Sequence, residues 1–313
     1  MEKLLKILSE YIGYLNAQNY SKNTLHTIYY DIKIFICWLD KKNITEFNQV
    51  NYPVLFEYQE YLTSHKSRLS KKTFAVGTQK RKLIYLKSFF KYLVQSGVLM
   101  RNPAVNIILP CPPETFRWTL LTIRELKKLF LSFNLSDPLE YRNRTILELF
   151  YSSGIRASEL CNLKLKDIDY KNNFIKIEQG KGANDRVDPV CSRVLELVKY
   201  YVENIRKLFN PVIENLFVTC TGKNKLKPIY LEVMTAKAAE NCGLKKRITP
   251  QCLRIASATH MLKNGADIRY VQQFLGHKVI DSTMRYLKLD KTELKKVHTL
   301  THPRGKKKAQ KNE

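Results

Sequence analysis

The 313-residue chain is long enough for two ordinary domains, and its 44% hydrophobic content gives each a core, which excludes an intrinsically disordered polypeptide. Its formal charge of +26, from 54 Lys and Arg against 28 Asp and Glu, exceeds what solubility requires. Part of that excess is a solvated, lysine-rich surface; the rest points to a polyanionic partner, with nucleic acid the leading one. Seven cysteines, Cys37, Cys111, Cys161, Cys191, Cys220, Cys242 and Cys252, are scattered and never form a C-x-x-C pair. That argues against a disulfide framework or a zinc site and for a reducing compartment.

The first stretch, "MEKLLKILSEYIGYL", is amphipathic and interrupted by charges, unlike a signal peptide or a membrane span. A soluble cytoplasmic protein is therefore expected. Residues 1–102 read as helices throughout. "NTLHTIYYDIKIFICWLDKK" and "VGTQKRKLIYLKSFFKYLVQSG" carry apolar residues at helical spacing, with Ser21 or Asn23 and Thr78 as N-caps and Gly97 as a stop. Residues 103–118 contain Pro103, Pro110, Pro112 and Pro113, which break regular structure and predict an extended linker at a domain boundary.

Residues 119–299 are mixed. Helices are expected at "TIRELKKLFLSF", "EYRNRTILELFYSSG" and "RASELCNL", followed by strands at "LKLKDIDY" and "NFIKIEQ". "GKGAND" reads as a hairpin turn and "RVDPV" as a returning edge strand that tolerates Pro189. Helices then resume to about residue 298, and residues 300–313 form a basic, polar tail expected to be disordered. The fold class that follows is mainly α with a small β-sheet.

Four islands in this second part carry chemistry. In "YSSGIRASEL" a turn delivers Arg156 to a helix start, where backbone N–H groups and a guanidinium can meet one anion, and Glu159 stands on the same face to orient the arginine. Alone, the pair also reads as a surface Arg/Glu contact. Lys181, between glycines on the hairpin tip, has the reach to protonate a leaving oxygen, although turn lysines are more often merely solvated. In "ITPQCLRIASATHML" the spacing puts Gln251 and Arg254 on one helical face, and sends His260 well away from them, as a packing residue. A guanidinium among Leu253, Ile255, Ala256 and Ala258 calls for a specific anion. In "DIRYVQQFLGHKVIDSTMRYLKL" Gly276 ends one helix, His277 follows on the turn, Asp281 or Ser282 caps the next, and Tyr286 projects from it. The role of that tyrosine cannot be read from the segment by itself.

The order and spacing of Arg156 in "SSGIRASEL", Lys181 in "GKG", Arg254 in "TPQCLRIASATHML", His277 in "LGH" and Tyr286 nine residues later resemble the catalytic domain of the tyrosine recombinases, the phage-integrase and Xer family. The resemblance extends over almost the whole chain: the helices before the prolines look like the family's N-terminal core-binding domain, ending in a family-like "NPA". It implies a site-specific DNA recombinase that cleaves and rejoins strands through a 3′-phosphotyrosyl intermediate, with no cofactor and no metal. Tyr286 would be the nucleophile, Arg156 and Arg254 the phosphate clamp, Lys181 the general acid for the 5′-oxygen, and His277 a donor to the scissile phosphate.

Double-stranded DNA carrying an inverted-repeat site, and a synaptic tetramer or a related recombinase, would be its partners. The chain departs from the family where most members carry His and this one has Gln251, and again at Ile255; glutamine cannot carry a proton at neutral pH. That leaves an alternative, a DNA-binding protein of the same fold with impaired catalysis. A type IB topoisomerase ranks lower, because the N-terminal helices look like a recombinase core-binding domain. With the helical pattern beginning almost at Met1, no extra arm-binding domain of the lambda type is expected, which favours an Xer-like or simple mobile-element enzyme over a lambda-like one, and Gln251 with the lysine-rich composition tilts the reading toward a mobile-element enzyme.

Overall fold

A computed structural model describes residues 1–65, 73–111, 120–178 and 185–276, and the chain divides into two compact units, Met1–Phe116 and Arg117–Glu313. The first unit is built from helices α1 (Glu2–Ala17), α2 (Lys22–Lys41), α3 (Tyr52–Ser64) and α4 (Val76–Gln95). Along α1 the buried residues are Leu4, Leu8, Tyr11 and Leu15, a spacing of three and four that gathers them into one stripe. Ser21 caps α2 by accepting from the Thr24 backbone N–H at 3.2 Å, which decides between the two expected caps. Helix α4 starts three residues earlier than a Thr78 cap would set it, with Ala75 at the cap position.

The core of this unit is strongly aromatic, with Phe35, Phe89, Phe90 and Tyr58 almost fully buried. Two charged groups are buried with them, Asp31 and Lys82: Asp31 accepts from Lys82 Nζ at 2.6 Å and from the more exposed Arg81 Nε at 3.1 Å. Two residues of the proline-rich stretch, Ala104 and Ile107, belong to the same core, and Lys87 Nζ donates to the Val105 carbonyl at 2.8 Å. The beginning of that stretch is thus packed against the helices.

The second unit continues with α5 (Ile123–Leu131), α6 (Pro138–Ser153) and α7 (Ala157–Asn162). A three-stranded antiparallel sheet follows, β1 (Ile168–Asp169), β2 (Phe174–Ile177) and β3 (Arg186–Pro189), in the order β1-β2-β3. Of the expected strand "LKLKDIDY" only Ile168 and Asp169 pair in the sheet. The preceding Leu165–Asp167 forms a 3-10 turn, because the Asp167 carboxylate accepts from the Lys164 backbone N–H at 2.8 Å and folds the chain back on itself.

Helices α8 (Ser192–Tyr200), α9 (Pro228–Asn241), α10 (Pro250–Lys263) and α11 (Ile268–Leu275) complete the described part. Helix α10 packs against α6, α9 and α11. Its residues from Cys252 to Thr259 are all buried, so it shows no polar face, and its run of Ala256, Ser257 and Ala258 lets neighbouring helices come close. No helix among the described residues is long and apolar enough to cross a membrane.

The turn at Gly222 admits glycine alone. Gly222 has φ +68°, and a Cβ there would lie 2.1 Å from the Phe209 carbonyl oxygen and 2.5 Å from that of Asn210. Gly243 has a similar φ of +70° but open space around it. Gly243→Ala is therefore expected to destabilise by about 1–2 kcal/mol, the left-handed strain alone, and Gly222→Ala by about 3 kcal/mol or more once overpacking against backbone is added. Denaturant melts of the two variants check the ranking, and equal losses would contradict it.

Candidate active site

The site grows from the junction between α6 and α7. Gly154 closes α6 in the left-handed conformation, φ +58°, and a side chain there would run into the Phe274 ring, 2.7 Å from its nearest atom. Two residues later Arg156 occupies the N-cap of α7 with extended backbone, φ −80° and ψ 152°. Glu159, in the first turn of α7, accepts from the Arg156 backbone N–H at 3.0 Å through Oε2 and from Arg156 Nη1 at 2.7 Å through Oε1. The pair is therefore half cap and half ion pair, and it fixes where the guanidinium points. Arg156 Nη2 then donates to the Gly276 carbonyl at 2.9 Å.

Arg254 reaches the same place from the other side. It lies on α10, only 2% exposed, and donates through Nη1 to the Gly154 carbonyl and through Nη2 to the Leu275 carbonyl. Both guanidiniums thus meet the C-terminal end of α11, where unpaired carbonyls concentrate partial negative charge. Gly276, with φ +59°, caps that helix. The arginines hold the backbone immediately ahead of His277.

Arg186 and Asp188, read from sequence only as parts of an edge strand, complete the cluster. Arg186 meets Glu159 fork to fork, Nη1 to Oε1 at 3.0 Å and Nη2 to Oε2 at 2.7 Å, and its Nε donates to Asp188 at 2.9 Å and 3.1 Å. Burial by itself would push the Glu159 carboxyl up; hydrogen bonds from Arg186 and Arg156 outweigh it and hold the group down at about 2. Burial pushes Asp188 the other way, up to about 6, against the attraction of Arg186 and Arg254. One signal in the sequence could have exposed this pair: Arg186 and Asp188 alternate with Val187, and the strand turns its valine outward, 58% exposed, while Asp188 is buried.

Gln251 stands in the first turn of α10 and is exposed, bordering a small cavity of about 330 Å³ with Phe150, Ile155 and Ala157. It therefore neighbours the Arg156 side of the cluster rather than sharing the buried setting of Arg254. His260 is turned away, its Nδ1 3.0 Å from the Tyr151 hydroxyl, and burial lowers its pKa. Lys181, in the connection between β2 and β3, lies outside the described residues, as do His277, Tyr286 and the tail. Among the described residues no group of three His, Cys, Asp or Glu could hold a metal ion.

Three guanidiniums against two carboxylates leave this cluster with one excess positive charge when all are ionised, so it can accept one more anion. Comparisons with known proteins show the family of the chain. Residues 120–293 match the phage integrase family and residues 8–97 its N-terminal SAM-like domain. The chain is 32% identical over 301 residues to tyrosine recombinase XerC 2 of Ralstonia nicotianae, covering 96% of this chain and 86% of that protein. It is 31% identical over 302 residues to tyrosine recombinase XerD of Staphylococcus saprophyticus, covering 96% and 99%.

Among solved structures, the fold is similar to the XerH site-specific recombinase bound to palindromic difH substrate, with a TM-score of 0.72 and 22% identity over 91% of this chain and 81% of that one. It is also similar to a lambda integrase dimer bound to a core site, with a TM-score of 0.69 and 19% identity over 91% and 97%. From its paired arginines to its helical first unit, the chain belongs to the tyrosine recombinases of the phage integrase family, enzymes that cleave and rejoin DNA.

Proposed function

We propose that this protein is a site-specific DNA recombinase, that Tyr286 attacks one phosphodiester to form a 3′-phosphotyrosyl bond, and that the freed 5′-hydroxyl of another strand reverses the step. The bond energy is kept in the covalent intermediate, so no nucleotide cofactor enters. The observation that carries the reading is the convergence of Arg156 and Arg254 on the end of α11, directly before His277. A phosphodiester placed there meets the guanidiniums at the start of α7 and on α10, which stabilise charge that develops on its non-bridging oxygens. Lys181 serves as general acid for the 5′-oxygen, and His277 donates to the phosphate.

The helical first unit, with the start of the proline-rich stretch packed on it, supplies a second surface that binds double-stranded DNA. Two pairs of protomers then form a synaptic tetramer on inverted-repeat sites. The charge of +26 supplies the salt-sensitive, sequence-independent part of the binding. Such a protein works in the cytoplasm, on the DNA there.

A nicked substrate, whose 5′ fragment diffuses away after cleavage, traps the covalent intermediate. Wild type is expected to accumulate a DNA-linked band, Tyr286→Phe none, and Arg156→Ala or Arg254→Ala to form it about 10²–10³-fold more slowly. An adduct that persists in Tyr286→Phe would contradict the reading. Gln251 favours one competing account, a DNA-binding protein with impaired catalysis, since an exposed glutamine beside the clamp exchanges no proton. Strand exchange between two labelled sites separates the accounts. Gln251→His is expected to raise the cleavage rate by about 10-fold or more, within the span of general acid–base assistance; an unchanged or slower rate would mean the site is fitted to glutamine.

A further inference from the structure

Asp188 is a buried carboxylate in a place where an apolar residue would pack at less cost. It is 1% exposed, sits on β3 opposite Ile175, and belongs to a strand whose valine faces outward. A buried ion pair is seldom a gain in stability over well-packed apolar side chains. Its contacts indicate another use. Both Asp188 oxygens accept from Arg186 Nε, at 2.9 Å and 3.1 Å. With Nε fixed, the Arg186 plane is fixed, and its two terminal nitrogens meet the two Glu159 oxygens in parallel. Those same oxygens hold the Arg156 guanidinium and backbone N–H. An unbroken chain of charge-assisted hydrogen bonds therefore runs from Asp188 to one arm of the phosphate clamp.

The other arm also feels this carboxylate. Arg254, on α10, lies near enough for its charge to favour the ionised form of Asp188. Arg186 in addition lies against the α11 cap: a Cβ on Gly276 would stand 3.1 Å from Arg186 Nη1 and 3.2 Å from its Cδ and Cζ. The Gly276 and Leu275 carbonyls that accept from Arg156 and Arg254 are thus backed by the guanidinium that Asp188 orients.

Resting on the reading of Arg156 and Arg254 as the phosphate clamp, we propose that Asp188 is a positioning residue for DNA cleavage, aiming Arg156 through Arg186 and Glu159 while balancing the charge of Arg254. The charged groups that face it are Arg186 on its own strand, Glu159 on α7 and Arg254 on α10. Protonation of Asp188 raises the excess charge of the cluster from one to two and weakens the hold on Arg186 Nε. Because burial raises its pKa to about 6, the aiming carboxylate is present above that pH and is lost as pH falls through it. The effect on stability has the opposite sign: a carboxyl with a folded pKa above its ordinary value of 3.8 favours the fold below that ordinary value, and this contribution is lost as pH rises through about 6.

The test is single-turnover cleavage of the nicked substrate from pH 5 to 8, with saturating protein, alongside gel-shift binding and thermal melts. Wild type should lose rate as pH falls through about 6. Asp188→Asn should cleave about 10-fold more slowly at pH 7.5, the scale of a residue acting through a network, with a flattened pH profile, unaltered DNA affinity and a melting temperature no lower than wild type. Asp188→Glu should recover part of the rate and keep the inflection. A wild-type rate and profile in Asp188→Asn would overturn the proposal, and so would a slow variant that melts early and keeps the inflection. If Asp188→Asn does not fold, a wild-type profile without an inflection between pH 5 and 7.5 overturns it. Arg156→Ala and Arg254→Ala in the same assay separate the two levels: their cleaving like wild type would remove the clamp itself, whereas their failure beside a normal Asp188→Asn removes only the positioning role.

Discussion

The structure of the catalytic unit depends on a guanidinium buried in the middle of a helix. Arg254 sits among Leu253, Ile255 and Ala256 with almost no exposed surface, and its charge is tolerated because two other elements bring carbonyls to it. The left-handed turn at Gly154 supplies one and the end of α11 supplies the other. Each of these features constrains the next. The turn needs a glycine because the Phe274 ring occupies the space of a side chain, and Phe274 belongs to the helix whose last carbonyls the arginines hold.

Charge balance then explains the rest of the cluster. A second guanidinium, Arg156, reaches the adjoining carbonyl of Gly276, and two like charges in a poorly hydrated place need carboxylates near them. Glu159 answers for Arg156, Arg186 shares Glu159, and Asp188 holds Arg186. The two carboxylates differ sharply: Glu159, with donors on both oxygens from two arginines, stays ionised down to about 2, whereas Asp188, with one guanidinium nitrogen, is pushed up to about 6. On the proposed reading, the excess positive charge left over meets one phosphodiester. For an enzyme that stores bond energy in a phosphotyrosine, such a fixed receptor for the non-bridging oxygens is the main thing the protein must build.

Much of this was legible in the sequence, for reasons that differ by residue. The helical stripe of Leu4, Leu8, Tyr11 and Leu15 is a matter of period, and the Ser21 cap a matter of chemistry at a helix start. Arg156 and Glu159 are neighbours by spacing on a helix, so their contact needed no tertiary knowledge. Contacts across the fold were hidden. Arg186 and Asp188 lie 27 and 29 positions beyond Glu159, and nothing local says that a strand will turn its charges inward. Local hydrogen bonding by Asp167 overrode strand propensity in "LKLKDIDY". Gln251 and Arg254 share a helical face by spacing yet differ in burial: Gln251 is exposed although its first-turn neighbours Pro250, Cys252 and Leu253 are buried. Lys181, His277 and Tyr286 lie outside the described residues, and their roles rest on the family pattern.

The claim that Arg254 exists to meet a phosphate can be tested on the substrate. Replacing a non-bridging oxygen of the scissile phosphate by a methyl group removes the negative charge that the guanidinium neutralises, and the two changes together form a cycle. Single-turnover cleavage of the phosphate and methylphosphonate substrates by wild type and Arg254→Ala is the measurement. A clamp predicts that Arg254→Ala is far slower on the phosphate and close to wild type on the methylphosphonate. An equal loss on both substrates would show that Arg254 serves the fold and not the charge of the scissile phosphate.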